Sequence, residues 1–589
     1  MLRNVLVVSF GMLFSRLLGM LRDSATAAVL GMSVGGTMDA FVLAFRLPDI
    51  ARRFFGDGSL GISFIPVFTR TWHKDRQKAW TLLTAMLCRT LLYLLGFVLL
   101  GEAVCWFSIC YFHPLGKVYL TAHLLSLLLP YLVLICMAAI CSAALQALGQ
   151  FTVSTLVPPI LNVIWLFGIL VAAPYYSADD AMQCYILALC ILFAGIIQLA
   201  IHYPFLRANG FRLFGKADLT LNNNDADDSL AGYLKSSVIL LPSENEEQKV
   251  DNDADKETNV SGELPPQAEP PKQDSGAVRP ELRIIFRRFV PQVFGLMTLQ
   301  LNLLIASIIA WLFSGGAGVP IDWLNGVMTY PLRQGAAAAI YYSERLFEFP
   351  QGLIGLSMAT AIYPLLTRHA IQKNRKALGD ELTLGLRLQL VFAIPAGVGL
   401  MMMSENLSHL LFQRGAFSAS DMFRTADMIF WFGCGVWAFC ALPLLVRAFY
   451  ILGDTRTPFR IACWCCLVNT FLSLFLMCWM KENGLALAVS VSAALQAGYL
   501  VIRFQRRYGH IQLRTLFVSV FRSVIATGCM AFAVAVVMES LPGNSSFDDI
   551  LHIGFGGVIG VSVFLFVLRF LGGRELGIIV RGRVKKNKE

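Results

Sequence analysis

The sequence predicts an all-α polytopic membrane protein of fourteen transmembrane helices: two six-helix lobes related as parallel repeats, plus two extra C-terminal helices. Three observations carry that prediction. Of 589 residues, 56% are hydrophobic and only 15% charged, with a mean hydropathy of +0.63, whereas a soluble domain carries about a quarter charged residues. Apolar runs of roughly twenty residues, the length that spans hydrocarbon, recur from end to end. Short sequence pairs also return in the same order, offset by about 300 residues.

The runs begin near Val5, Met38, Trp80, Tyr119, Val153, Cys184, Phe289, Leu332, Thr383, Ala426, Arg460, Leu485, Leu516 and Leu551. The first contains Arg16 and lacks a small-x-small cleavage site, so it reads as a helix and not as a signal peptide. The connections fix the orientation. "RTWHKDRQK" from Arg70, "RHAIQKNRK" from Arg368, "RFQRRYGHIQLR" from Arg503 and "RGRVKKNKE" from Arg581 are basic. "PYYSADDA" from Pro174, "SGGAGVPIDWLNG" from Ser314 and "ESLPGNSSFDD" from Glu539 hold no Lys or Arg. Basic loops lie on the cytoplasmic side, so the alternation puts both termini in the cytoplasm.

The repeat supplies the domain boundaries. "PVFTR" at Pro66 returns as "PLLTR" at Pro364, and "ALQALG" at Ala144 as "AFYILG" at Ala448. Six spans separate the copies, an even number, so the repeats are parallel and suggest a transporter with its site between two lobes. Residues 1–206 are expected to form the N-lobe, 207–282 a cytoplasmic linker, and 283–508 the C-lobe. Helices thirteen and fourteen occupy 509–573, and 574–589 is a basic tail. Between Asp218 and Asp274 the linker holds 14 acidic residues and 4 lysines; so polar and Pro-rich a segment buries too little apolar surface to order itself. The 14 cysteines lie mostly within apolar runs and read as small buried hydrophobes.

The charges inside the runs are the informative exception. The stretch "DAFVLAFRLPDIARRFFGDG" carries Asp39, Arg46, Asp49, Arg52, Arg53 and Asp57, each costing roughly 2.5–3.5 kcal/mol at the centre of a lipid-facing helix. Asp39, Arg46, Asp49 and Arg53 fall on one helical stripe, and Pro48 is expected to kink or unwind the helix there. In the first run Ser15 shares a face with Arg22, and Arg16 with Asp23. In the eighth, Arg345 and Glu348 are neighbours at i, i+3, with Pro350 interrupting the helix. Plainer alternatives are that Arg52 and Arg53 snorkel to a surface and that Arg16 and Asp23 form a private ion pair. Six arginines (Arg16, Arg22, Arg46, Arg52, Arg53, Arg345) face four acids (Asp23, Asp39, Asp49, Glu348). A surplus of guanidinium forks suits phosphate or carboxylate oxygens. No nucleotide-binding loop, metal motif or nucleophile elbow stands in a usable context.

"FSRLLGMLRDSATAAVLG", "MDAFVLAFRLPDIARRFFGDGSLGISFIPVFTR", "YYSERLFEFPQGLIGLSMATAIYPLL", "LLFQRGAFSASD" and "RAFYILGDTRTPFRIA" together resemble the MurJ/MviN lipid II flippases of the MOP exporter superfamily. The resemblance covers the chain apart from its acidic linker. It implies a multi-pass protein of the bacterial inner membrane, a transporter and not an enzyme. The implied activity moves undecaprenyl-pyrophosphate-linked GlcNAc–MurNAc-pentapeptide to the periplasmic leaflet for peptidoglycan synthesis, by alternating access. It assigns substrate contact to Ser15, Arg16, Arg22, Arg52 and Arg345, with Asp23, Asp39 and Glu348 as cavity or gating carboxylates. It implies lipid II and membrane lipids as partners, the cell-wall synthesis and division machinery as candidates, and no nucleic acid. No cofactor or metal is expected. Ala338 and Ala306 stand where some relatives carry polar residues, so no sodium site is assigned, and coupling to membrane potential or an ion gradient stays open. Two rivals also stay open: a MOP exporter of another lipid-linked oligosaccharide, and a polyprenyl-pyrophosphate glycosyltransferase or ligase.

Overall fold

The computed structural model describes residues 2–32, 36–56, 59–112, 116–212, 282, 297–316, 319–321, 329–540 and 546–573. Most of the expected linker and the tail 574–589 lie outside the described residues. In the first half the helices are α1 (Leu2–Leu30), α2 (Thr37–Gly56), α3 (Ser59–Lys74), α4 (Arg76–Phe112), α5 (Lys117–Ala147) and α6 (Phe151–Phe167). A π-helical turn over Gly168–Ala172 then leads to the short α7 (Ala173–Tyr176) and to α8 (Asp180–Ala208). The second half holds α9 (Thr298–Phe313), α10 (Ala336–Pro350), α11 (Ser357–Ile371), α12 (Arg375–Met402), α13 (Ser404–Phe412), α14 (Ala419–Gly433), α15 (Val436–Ile451), α16 (Arg456–Met480) and α17 (Glu482–Tyr508). An appended pair follows, α18 (Leu513–Ser540) and α19 (Ser546–Phe570). A two-stranded parallel ribbon, β1 (Ser314–Gly315) and β2 (Leu332–Arg333), ties the end of α9 to the approach to α10.

Each expected run meets a helix. Ten described helices are long and apolar enough to cross a membrane, or eleven if α14 and α15, bent by 47°, count as one span. The run expected from Leu332 starts late, because Leu332 and Arg333 are strand and the helix begins at Ala336. The run expected from Phe289 is described only from Met297 onward. Pro48 does not unwind α2, which stays helical through it; losing one ladder bond is tolerable when neighbouring helices support the turn. Pro350 behaves as expected. α10 ends there and the chain passes through a π-helical turn, Gln351–Leu356, into α11.

Helix starts repeat with the same offset as the sequence. α4, α5, α6 and α8 begin at residues 76, 117, 151 and 180; α12, α14, α16 and α17 begin at 375, 419, 456 and 482. Local chemistry sets these starts. Asp179 accepts the Met182 N–H at 3.1 Å to cap α8, Ser418 and Asp421 form a reciprocal capping box on α14, and Asn374 caps α12. The same apolar core runs through both halves, while α18 and α19 pack on α12 through Val391, Ala526, Met530 and Phe564.

The halves meet mainly where α1 and α2 touch α9, α10 and α13. At one end the contact is made to backbone carbonyls: the Ala416 N–H donates to the Ala28 carbonyl at 2.8 Å, and the Ser24 hydroxyl donates to the Leu411 carbonyl. Gly415, at φ +59°, lies so close to the Ala28 backbone that a Cβ there would overlap its carbonyl. Changing Gly415 to Ala is expected to cost about 1–2 kcal/mol from the left-handed backbone alone. The steric push against Ala28 adds to this, and a lowered thermal unfolding midpoint checks it.

Candidate functional site: an arginine–carboxylate network between the two halves

α2 and α10 run side by side in the same direction, and three polar contacts join them like rungs. The outermost is Asp39. Its carboxylate accepts the Gly335 N–H at 2.8 Å, the Ala338 N–H at 2.9 Å and the Ser314 hydroxyl at 3.3 Å. A carboxylate there satisfies orphan donors and complements the positive end of the helix dipole. Two turns on, Arg46 makes a bidentate pair with Glu344, at 2.5 and 2.6 Å, with side-chain exposures of 2% and 0%. A further two turns on, Arg53 reaches Glu348 at 2.5 Å and Asp49 at 2.9 Å.

α1 closes the network from the side. Arg22 donates to Asp23 at 2.7 Å, to Asn162 of α6 at 3.0 Å and to the Tyr341 hydroxyl at 3.2 Å. It also stacks 4.5 Å over the Trp165 ring. Trp165 is itself fixed by donating to Thr26 and by edge contacts with Phe41 and Phe45. Arg345 is the hub: 3.3 Å from Asp23, 3.1 Å from Glu348, 3.8 Å from Glu344, and 4.5 Å over the Tyr341 ring. Arg52 pairs with Asp49 at 2.9 Å and keeps 30% of its side chain exposed.

Five arginines (Arg22, Arg46, Arg52, Arg53, Arg345) thus share four carboxylates (Asp23, Asp49, Glu344, Glu348). Arg16 adds a sixth cation without a carboxylate partner among the described residues. It reaches the Phe349 carbonyl at 3.4 Å and lies against Gly352 in the π-helical turn. Side chains also reach carbonyls in and beside that turn: Arg16 at Phe349, Ser357 at Gly352 and Gln389 at Gly355.

The structure brings together Arg22, Asp23, Arg52, Arg345 and Glu348, and sets Arg16 beside them. Ser15 joins through its carbonyl, which accepts from Asn162 at 3.0 Å. Asp39 lies on the expected stripe, but it binds the start of α10 and not the arginines. Arg53 is buried between two acids and does not snorkel, and Asp23 pairs with Arg22 and Arg345 in place of Arg16. The expectation of arginines displayed on an open cavity also changes, for Arg22, Arg46 and Arg53 are buried against their partners. Sequence reasoning missed Glu344, Tyr341, Asn162 and Trp165. For Glu344 the signal was present: it stands one turn before Glu348, on the face that must meet Arg46 and Arg53.

The pairs differ in energetic weight. Changing Arg46 to Ala leaves Glu344 buried and unpaired, which costs about 3–5 kcal/mol. Changing Arg52 to Ala removes a partly solvated pair worth about 0–1 kcal/mol. Denaturation of the two variants in the same detergent is expected to separate them in that order.

A protein-family model described as lipid II flippase MurJ matches residues 26–554. Among curated proteins, the chain is 24% identical over 591 residues to a probable lipid II flippase MurJ of Buchnera aphidicola subsp. Acyrthosiphon pisum, covering 99% of each chain. It is 27% identical over 594 residues to the Vibrio cholerae protein of the same description, covering 98% of this chain and 97% of that one. A solved structure described as lipid II flippase MurJ in an inward closed conformation superposes with a TM-score of 0.63, at 19% identity, covering 98% of this chain and 100% of that chain. An inward-facing multidrug-resistance MATE transporter of the MOP superfamily gives 0.58 at 11% identity, covering 86% of this chain and 99% of that chain. These two structural matches speak to fold. The family match covers most of the chain, including α2 and α10 with their share of the network, and the chain belongs to the lipid II flippase MurJ family.

Proposed function

We propose that this protein moves lipid II, a polyprenyl diphosphate carrying a disaccharide pentapeptide, from the cytoplasmic to the periplasmic leaflet of the bacterial inner membrane. The observation that carries the reading is the guanidinium surplus where α1, α2 and α10 meet. A diphosphate diester brings two negative charges and a set of acceptor oxygens, the complement of planar donor forks. Family membership supplies the lipid carrier.

In this reading all fourteen runs cross the bilayer and both termini are cytoplasmic. The two repeats, 1–206 and 283–508, rock against each other. The helices of 509–573 shelter the lipid tail while the headgroup passes between the repeats. The seal at Ala28, Leu411 and Ala416 is then periplasmic, and the network lies inward of it, reached from the cytoplasm. Counting 1.5 Å per residue, Arg16 is about 18 Å along α1 from Ala28, near the bilayer midplane. No step forms or breaks a covalent bond, so the protein acts as a transporter. Moving net charge through the membrane potential is worth roughly 2.3 kcal/mol per charge per 100 mV, enough to drive the cycle without a nucleotide.

Proteoliposomes loaded with lipid II test the assignment. The unaltered protein is expected to translocate it, and Arg16→Ala, Arg52→Ala and Arg345→Ala each to lower the initial rate by about tenfold or more, the equivalent of ~1.4 kcal/mol. Unchanged rates in all three variants would overturn it. Rescue of a cell depleted of its own lipid II flippase separates lipid II from other lipid-linked oligosaccharides.

A further inference from the structure

Two glutamates stand one turn apart on α10 and do different work. Glu344 is fully enclosed and clamped by both nitrogens of Arg46. Glu348 bridges Arg53 and Arg345, and its side chain is 19% exposed, against 2% for Asp23, 6% for Asp49 and 0% for Glu344. Of the network's four carboxylates it is therefore the one with the most access to solvent. Its partner Arg345 is 13% exposed, and Arg52, which pairs with Asp49, is 30% exposed. Directly after Glu348, at Pro350, α10 gives way to the π-helical turn.

We propose that Glu348 is an internal competitor for the anion site, a built-in selectivity filter that only a multiply charged phosphate group can displace. This rests on the transport reading above and adds to it how the site chooses its ligand. With Glu348 in place, Arg53 and Arg345 already hold an acceptor. An incoming monoanion offers these arginines nothing that Glu348 does not, and must also expel it. A diphosphate brings a second charge and further oxygens, which reach Arg52 or Arg16 while taking Arg345. Glu348 then turns to solvent, and the link between α2 and α10 at that level opens. Selectivity arises from a repulsive element that the right ligand alone overcomes.

Purified full-length protein in lipid nanodiscs, titrated with inorganic pyrophosphate and with acetate, tests this. Glu348→Gln keeps the shape and removes the charge. It is expected to bind pyrophosphate several-fold more tightly than the unaltered protein and acetate more tightly still, so that the preference for pyrophosphate narrows. Glu344→Gln is expected to lower thermal stability without tightening either anion, which separates competition from loss of structure. Equal or weaker pyrophosphate binding by Glu348→Gln, or an unchanged preference, would overturn the proposal. If Glu348→Gln fails to fold, the unaltered protein still decides: binding acetate as well as pyrophosphate, or binding neither, counts against it. The outcomes also part from those of the parent reading. Lipid II translocation with an unchanged anion preference removes only the role of Glu348. A narrowed preference without translocation removes only the transport assignment.

Discussion

The pairing of Arg46 with Glu344 is the constraint on which the junction depends. Neither side chain reaches water, so each is tolerable only while the other is present. Desolvating two such ions costs several kcal/mol apiece, repaid only by close, bidentate geometry. The pair is therefore a poor glue and a strict ruler. It fixes the axial register of α2 against α10, and two turns to either side that register brings Asp39 to the start of α10 and Arg53 to Glu348. A slip by one residue on either helix would leave buried charges unpaired at two levels. Specific register is a well-attested use of buried polar pairs.

Around that ruler the remaining charges form a network that is deliberately incomplete. If every arginine had its own acid, the junction would be a neutral strut with no use for an anion. Here Asp49 serves Arg52 and Arg53, while Glu348 serves Arg53 and Arg345. Sharing leaves guanidinium donors unsaturated in a site of low dielectric, where they attract an anion more strongly than in water. Tyr341 and Trp165 accept the faces of Arg345 and Arg22, holding the planes in place without neutralising them. Cation–π contact suits that purpose, since it orients a charge and preserves it.

Much of this was legible in the sequence. Hydropathy located the helices that carry the long apolar runs, because a bilayer leaves few ways to place such a run, whereas α3, α13 and the break between α14 and α15 went unseen. The paired "PVFTR" and "PLLTR" pointed to the repeat, and the helix starts recur at the same offset although their capping residues differ between the copies. The charged stretches pointed to the network, because charges within apolar runs need a reason. What stayed hidden needed the third dimension. Helical periodicity put Asp39 on the stripe with Arg46 and Arg53, but cannot show that its end of the stripe meets a helix start where backbone N–H groups outbid guanidinium. Pro48 suggests a kink or unwinding of α2, and the unwinding does not occur, because the local rule against proline is blind to neighbours that support the turn. Asn162 and Trp165 are unremarkable in an apolar run, and only the packing of α6 on α1 brings them to Arg22.

The network and the seal between the halves are coupled because they share helices. α1 carries Arg22 and Asp23 into the network, and Ser24 and Ala28 into the seal at residues 411–416. α10 carries Glu344, Arg345 and Glu348, and its first turn is held by Asp39. Helices this short act as rods, so a shift that separates Glu348 from Arg53 must tilt α10 about a pivot or bend it. The buried Arg46–Glu344 pair is the natural pivot, since it is the contact least able to break. The bend is available just beyond, where the regular α-helical ladder is interrupted by the π-helical turn and side chains hold carbonyls in and beside it. Tilting about that pivot moves the two ends of α10 in opposite senses, so loosening the Glu348 level presses on the Asp39 level and the seal beside it. In the proposed transport cycle, a charge exchanged at the Glu348 level would thereby have a mechanical route to the seal.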